Sequence, residues 1–324
     1  MSRVTSADVA RTAGVSRATV SYVLNDTPGQ SISPATRSRV LAAAAGLGYA
    51  PSAAARALRT GRSDVVLCLL PDWPIGDEVG DLLGRLSTEL ARAGLTFVVH
   101  PGSPADRPAG EIWKAITPAA VIVFAGFSDG ELDAMRAAGV APVVALLGRA
   151  SSDGRELEMP QRLAGRRQAE HLRATGHRRL GYAFPDDDRL RIFAEPRLAG
   201  VQACAGGDPQ VEIVPLDPER AAEAVRRWRA GGVTGVCAYN DEVALAVLAG
   251  ARRLGLSAPG DLAVIGVDDI TAARLAVPPL TTVTTDQRRL AAHLAAIVLA
   301  AVSGRPAPPP PGDDLISIVI RESA

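Results

Sequence analysis

The chain has 324 residues, 47% of them hydrophobic, which is enough to bury a sizeable core and to build more than one domain. Its 35 lysines and arginines balance 35 aspartates and glutamates, so the overall charge by itself points to neither a nucleic acid nor a membrane. The charge is segregated, however: residues 1–62 hold eight arginines against two aspartates, a net +6, which leaves −6 on the remainder. A basic end on an acidic body is the pattern of a polyanion-binding module joined to a larger unit with another task.

Cys68, Cys204 and Cys237 are odd in number, far apart and set in apolar runs such as VVLCLL, so they are expected as reduced core residues and not as a disulfide frame or a metal site. The N-terminus lacks the apolar stretch of a secretory signal, and no run approaches the roughly 20 apolar residues that span a bilayer. A cytoplasmic protein without membrane partner or cofactor is expected.

In chain order, Thr5 and Asp8 have the spacing of a capping box for a first helix through Thr12, and Gly14 supplies a turn. Ser16 caps a second helix in which Val20, Val23 and Leu24 share an inner face. Arg17, Ala18, Ser21, Tyr22 and Asn25 are left on its outer face. A third helix opens at Ser33 with Pro34 in its first turn and stops near Gly46 or Gly48. A helix, a glycine turn and a second helix with a small polar face is how a helix-turn-helix enters the DNA major groove. Any small helical bundle shares these features, and the charge of the segment favours DNA.

PSAAARALRTGRS, residues 51–63, favours helix by its alanines but has too little apolar area to be stable unless something docks against it. From Val65 onward apolar strands alternate with helices: VVLCLL, LTFVV, AAVIVFA, PVVALL, RLGYAF, VEIV, VTGVCAY, LAVIGV and finally LISIVI. That is a parallel α/β architecture in two lobes. RPAPPPPG, residues 305–312, reads as a stiff connector before the last strand, with ligand recognition by its polyproline form as the alternative.

VTSADVARTAGVSRATVSYVLN, followed by SPATRSRVLAAAAGLGYAPSAAARALRTGRS, resembles the DNA-binding head of the lactose repressor (LacI/GalR) family over residues 4–63. YNDEVALAVLAGARRLGL, APGDLAVIGVDDI and PPLTTVTTD are similar to that family's second half, in the same order. The resemblance implies an all-α helix-turn-helix head (1–50), a hinge helix and linker (51–63), and a two-lobed, periplasmic-binding-protein-like α/β body with parallel sheets (64–324). It further implies a homodimeric transcriptional regulator, in the first place a repressor, that binds a palindromic double-stranded operator under control of a small effector between the lobes. The chain stops at RESA without a heptad helix for tetramer formation, which suggests a dimer limit.

By the same resemblance, Ser16, Arg17, Ala18, Ser21 and Tyr22 match positions that reach base edges and phosphates. Arg17 is the first choice as base reader, because a guanidinium donates two hydrogen bonds to guanine; a phosphate contact is the alternative. Tyr22 replaces an arginine common in relatives. Thr5, Thr19, Asn25 and Ser33 match phosphate holders, with helix capping as their other reading. Ala55, Leu58 and Arg59 fall in the hinge, where Leu58 is the expected minor-groove wedge.

Arg197, Asn240 and Asp268 match positions that hold polar groups of the effector, and Trp73 offers a stacking wall or a packing residue. Asn240 reads equally as a helix cap. Gly148 stands where relatives often have an aspartate, and Met159 and Pro160 replace the usual acidic and amide pair. These departures leave the ligand open between a sugar, something smaller or less polar, and none. A nucleophile with its base, paired carboxylates and a phosphate loop are not evident, so no enzyme is expected. The alternative, a transporter's solute-binding protein, shares the body fold, but the basic head and the lack of a signal peptide speak against it.

Overall fold

Residues 4–24, 29–49, 63–101, 109–124, 128–147 and 156–324 are described by the computed structural model, and the chain divides into two units, Met1–Asp64 and Val65–Ala324. In the first unit the helix starts are set by short polar side chains. Helix α1 (Ser6–Ala13) opens with Thr5, whose backbone N–H and hydroxyl both donate to Asp8 Oδ2 at 3.0 and 2.7 Å. It ends at Gly14, which takes φ +66°, the left-handed conformation that glycine adopts without a Cβ clash. Helix α2 (Arg17–Leu24) begins where Ser16 Oγ accepts from the Thr19 N–H at 3.0 Å. Helix α3 (Pro34–Gly46) begins where Ser33 Oγ accepts from the Thr36 N–H at 3.2 Å. Val9, Ala13, Val20, Val23, Val40 and Ala44 close the small core between them. The alanine-rich segment at 51–62 and Asn25 lie outside the described residues.

The second unit has two lobes. Strands β1 (Val65–Leu70), β2 (Thr96–Pro101), β3 (Ala120–Val123), β4 (Ala141–Leu147) and β5 (Glu156–Met159) form a parallel sheet in the order β2-β1-β3-β4-β5. Helices α4 (Asp77–Arg92), α5 (Ala109–Ile116) and α6 (Asp129–Ala137) connect them. The chain then passes Pro160 into the second lobe: α7 (Gln161–Ala174), β6 (Leu180–Pro185), α8 (Arg191–Cys204), β7 (Gln210–Val214), α9 (Pro218–Ala230), β8 (Gly235–Ala238), α10 (Asp241–Arg253), β9 (Ala263–Val267), α11 (Thr271–Leu275) and β10 (Thr281–Thr285).

Helix α12 (Gln287–Val302) returns to the first lobe, where Leu290, Leu294 and Val298 share a core with Val66, Leu86 and Ile122. After the proline-rich connector, β11 (Ile316–Val319) completes the second sheet in the order β11-β10-β9-β8-β6-β7. Strand β11 runs antiparallel to β10 at the edge of a sheet whose other pairs are parallel, as expected for the body. The chain reaches β11 from the far end of α12 and enters the sheet from the opposite direction. Strands β5 and β10 were not among the expected strands, because ELEM and TTVTT lack the continuous apolar run of a buried parallel strand.

Close backbone approach fixes the helices that carry the candidate site. A Cβ on Gly165 of α7 would lie 1.9 Å from the Arg197 carbonyl oxygen, and one on Gly200 of α8 would lie 2.0 Å from that of Arg162. Only glycine on both helices lets α7 and α8 pack in backbone contact. Buried Gln168 of α7 donates through Nε2 to the carbonyls of Ala238, Ile265 and Gly266 at 2.8 to 3.1 Å, tying the carboxyl ends of β8 and β9 to that helix. Among the described residues, no helix is long and apolar enough to cross a membrane, and no group of three or more His, Cys, Asp or Glu is placed to hold a metal ion.

Candidate nucleic-acid interface and ligand cleft

The amphipathic spacing of α2 buries Val20 and Val23 and leaves Arg17, Ala18 and Tyr22 exposed, with Ser21 and Thr19 half-buried beside them. Tyr22 is 36% exposed, so its ring is available on the outer face of α2. Thr5, Ser16 and Ser33 each sit at a helix start, where Ser16 and Ser33 accept from helix N–H groups and the Thr5 hydroxyl donates to Asp8. Helix N-termini concentrate unpaired N–H groups that favour anions, so the same places suit phosphate oxygens. Asn25, Ala55, Leu58 and Arg59 lie outside the described residues.

In the body, Arg197 and Asp268 are brought together. Arg197, only 7% exposed, donates from Nε to Gln161 Oε1 at 2.6 Å, from Nη1 to the Tyr239 carbonyl at 2.6 Å and from Nη2 to Asp268 Oδ1 at 3.4 Å. Its guanidinium also lies 4.9 Å from the centre of the Tyr239 ring. Asn240, the next residue, caps α10 by accepting from the Val243 N–H at 3.0 Å. Trp73 follows β1 and meets Phe124 at 5.1 Å and Phe193 of α8 at 4.7 Å, both edge-on. Its ring is therefore a packing bridge between the lobes.

Beside Asp268 opens a cavity of about 450 Å³, with Glu78, Arg85, Thr271, Arg274 and Gln287 also in its walls. Glu78, half-buried on α4, accepts from the Gln287 side-chain amide. Burial, reinforced by the charge of Asp268, pushes the Glu78 carboxyl up to about 8. Burial also raises Asp268 to about 6, although the Arg197 guanidinium pulls it down. Asp241, fully buried at the start of α10, rises to about 7 through burial, with Asp268 adding repulsion against the opposing hydrogen bond from Thr282. Glu78 and Asp268 in the cavity wall, with Asp241 buried behind them, are thus raised toward neutrality, which makes the cleft a candidate functional site. A guanidinium, amides and carboxyls at strand ends can donate and accept toward a ligand rich in hydroxyls.

Sequence reasoning missed Gln161, Glu78, Gln287 and Asp241. The amide expected to be lost at Met159 and Pro160 is present one position on, at Gln161, where the first turn of α7 faces Arg197. Glu78 carried a weak signal: an acid in the first turn of an amphipathic helix that follows a strand.

Residues 5–52 match the bacterial regulatory proteins of the lacI family, and residues 169–324 match a periplasmic binding protein-like domain. The HTH-type transcriptional regulator CelR of Thermobifida fusca is 32% identical over 304 residues, covering 85% of each chain. GalS of Salmonella typhimurium, another HTH-type transcriptional regulator, is 31% identical over 293 residues, covering 86% of this chain and 84% of its own. Among solved structures, the lac repressor dimer bound to operator and the anti-inducer ONPF superposes with a TM-score of 0.79 at 24% identity, over 99% of both chains. A complex of CelR with cellobiose gives 0.66 at 26% identity, over 99% of this chain and 100% of the other.

Proposed function

Because the chain belongs to the LacI family of bacterial transcriptional regulators, we propose that it represses transcription from a palindromic operator as a cytoplasmic homodimer and is released by a hydroxyl-rich ligand, a saccharide, in the cleft of its body. The observation that carries the proposal is the convergence of Arg197, Gln161, Tyr239 and Asp268 at the strand ends of the second lobe, beside a polar cavity. Residues 1–50 read the operator, 51–63 serve as the hinge segment and 64–324 hold the ligand and the partner subunit.

In the head, Arg17 and Ala18 address base edges, Tyr22 sets a base preference of its own, and Ser16, Thr19, Ser21, Thr5, Asn25 and Ser33 hold phosphates. Ala55, Leu58 and Arg59 address the minor groove, with Leu58 as the wedge. In the body, Arg197, Asp268 and Asn240 address ligand hydroxyls, and Trp73 closes the apolar side. Relatives that regulate transcription favour this division over a solute-binding protein or an enzyme. The test is release of the operator complex, read by fluorescence anisotropy, on adding a panel of saccharides that begins with cellobiose, the ligand of the CelR complex. Release by one saccharide and not by its stereoisomers supports the proposal; indifference to every member of the panel removes the ligand class.

A further inference from the structure

We propose that Asp241, which is not itself a ligand contact, is a positioning residue for the cleft: it holds the left-handed Asp268–Asp269 loop and thereby presents the Asp268 carboxyl to Arg197 and to the ligand. The proposal rests on the effector cleft described above.

Asp241 is 0% exposed and is the first residue of α10. A carboxylate there is ordinarily explained as a partner for the free N–H groups of its own helix. Here Asn240 already caps the helix, and the Asp241 carboxyl turns to two other elements. Its Oδ1 accepts from Thr282 Oγ1 on β10 at 2.6 Å, and its Oδ2 accepts from the backbone N–H of Ile270 at 3.0 Å. Strand β9 makes room for it with Gly266, where a Cβ would lie 2.0 Å from Asp241 Oδ1.

Ile270 follows immediately on two non-glycine residues at positive φ, Asp268 at +112° and Asp269 at +54°. Such conformations persist only where surrounding contacts over-determine them. On the upstream side the Asp268 N–H donates to the Val283 carbonyl at 2.7 Å. Asp269 is held by Arg321 and by Arg274 at 2.5 and 3.2 Å. On the downstream side the Asp241 carboxyl receives the Ile270 N–H, so it pins the end of the strained pair. The charged groups facing Asp241 are Asp268 and Asp269 from this loop; Arg197 of α8, Arg274 of α11 and Arg321 after β11 neutralise that pair, and Glu242, the next residue of α10, adds repulsion at Asp268.

Ionised Asp241 accepts the Ile270 N–H more strongly than the protonated acid does, so protection of that amide rises with pH through the neutral range. The experiment is amide hydrogen exchange by NMR on the full chain without ligand, between about pH 6 and about pH 8, for the parent, Asp241→Asn, Thr282→Val and Thr282→Ser. After correction for intrinsic exchange, the parent shows a pH step at Ile270, and Asp241→Asn exchanges there about ten-fold faster or more, with no step. Thr282→Val loosens Ile270 and Thr282→Ser restores it, while Val236 and Ala263 keep their rates in all variants. Unchanged exchange at Ile270 in Asp241→Asn, or a uniform rise across the second lobe, overturns the proposal. Should Asp241→Asn fail to fold, equal exchange in Thr282→Val and Thr282→Ser overturns it.

Calorimetry with cellobiose separates this proposal from the effector reading. Equal binding to parent and Asp241→Asn contradicts the positioning role and leaves the effector cleft standing. A loosened Ile270 in a protein that binds no saccharide of the panel contradicts the saccharide and leaves Asp241 as the loop's anchor.

Discussion

Replacing Arg197 with methionine keeps much of its volume and removes its charge and all three of its hydrogen bonds. The residue is 7% exposed, so water cannot take over its partners. The Tyr239 carbonyl and Gln161 Oε1 lose their donor, and Asp268, whose side chain is 19% exposed, loses its counter-ion. Breaking a buried pair by removing one partner costs about 3–5 kcal/mol. The pH dependence identifies the cause. Asp268 titrates at about 6 in the fold against 3.8 as a free side chain, so the folded state holds its proton longer and stability falls as pH rises across that interval.

Without Arg197 the carboxyl is raised further and the fall extends to higher pH. At about pH 8 the variant therefore carries the full penalty, roughly 6–10 °C of melting temperature for a unit of this size. At about pH 5 Asp268 is largely neutral in the variant, and the penalty shrinks to the lost hydrogen bonds, about 1–3 kcal/mol or roughly 2–6 °C. Thermal unfolding of both proteins at the two pH values measures the difference. A loss equal at both, or absent at both, refutes the pairing of Arg197 with Asp268.

Gly266→Ala places a Cβ 2.0 Å from buried Asp241 Oδ1 and lowers stability by about 1–3 kcal/mol, whereas Gly84→Ala, in α4 with nothing within 4 Å, raises it by roughly 0.5–1 kcal/mol; denaturant unfolding of the pair checks both signs. Glu78→Gln removes a carboxyl whose value rises from 4.5 to about 8 on folding, so the parent loses stability over that range and the variant does not; the advantage of the variant grows from acid to alkaline pH in thermal unfolding, and a constant difference speaks against the burial of Glu78. Arg17→Ala weakens binding to the preferred operator by about 1–3 kcal/mol and relaxes choice at one base in each half-site, read by anisotropy on single-base operator variants; equal weakening on all sequences makes Arg17 a phosphate contact.

The head was legible because its information is local. Thr5, Ser16 and Ser33 sit where a capping hydroxyl must sit, and the spacing of Val20 and Val23 sets the inner face of α2. The strands with continuous apolar runs, such as VVLCLL and LAVIGV, were legible for the same reason. Strand β10 was not, since TTVTT, although β-branched throughout, lacks the apolar run of a buried parallel strand and sits between β9 and β11. Arg197 and Asp268 were found through the family likeness, while their joint environment depends on contacts across 71 positions of sequence. Gln161, Glu78 and Asp241 matter because helix starts from separate parts of the chain meet at one cleft, and no motif records that meeting. Trp73 reads from the sequence equally as a stacking wall or a packing residue, and its ring lies edge-on against Phe124 and Phe193, partners that no sequence pattern names.

Selection of bound fragments from genomic DNA by the full chain, followed by salt titration on the recovered site, tests the central claim most directly. The account predicts enrichment of a two-fold symmetric sequence, bound with an affinity that falls steeply as salt rises and about a thousand-fold or more above that for random DNA. Recovery of fragments with no common sequence, or equal affinity for the recovered site and random DNA, contradicts it.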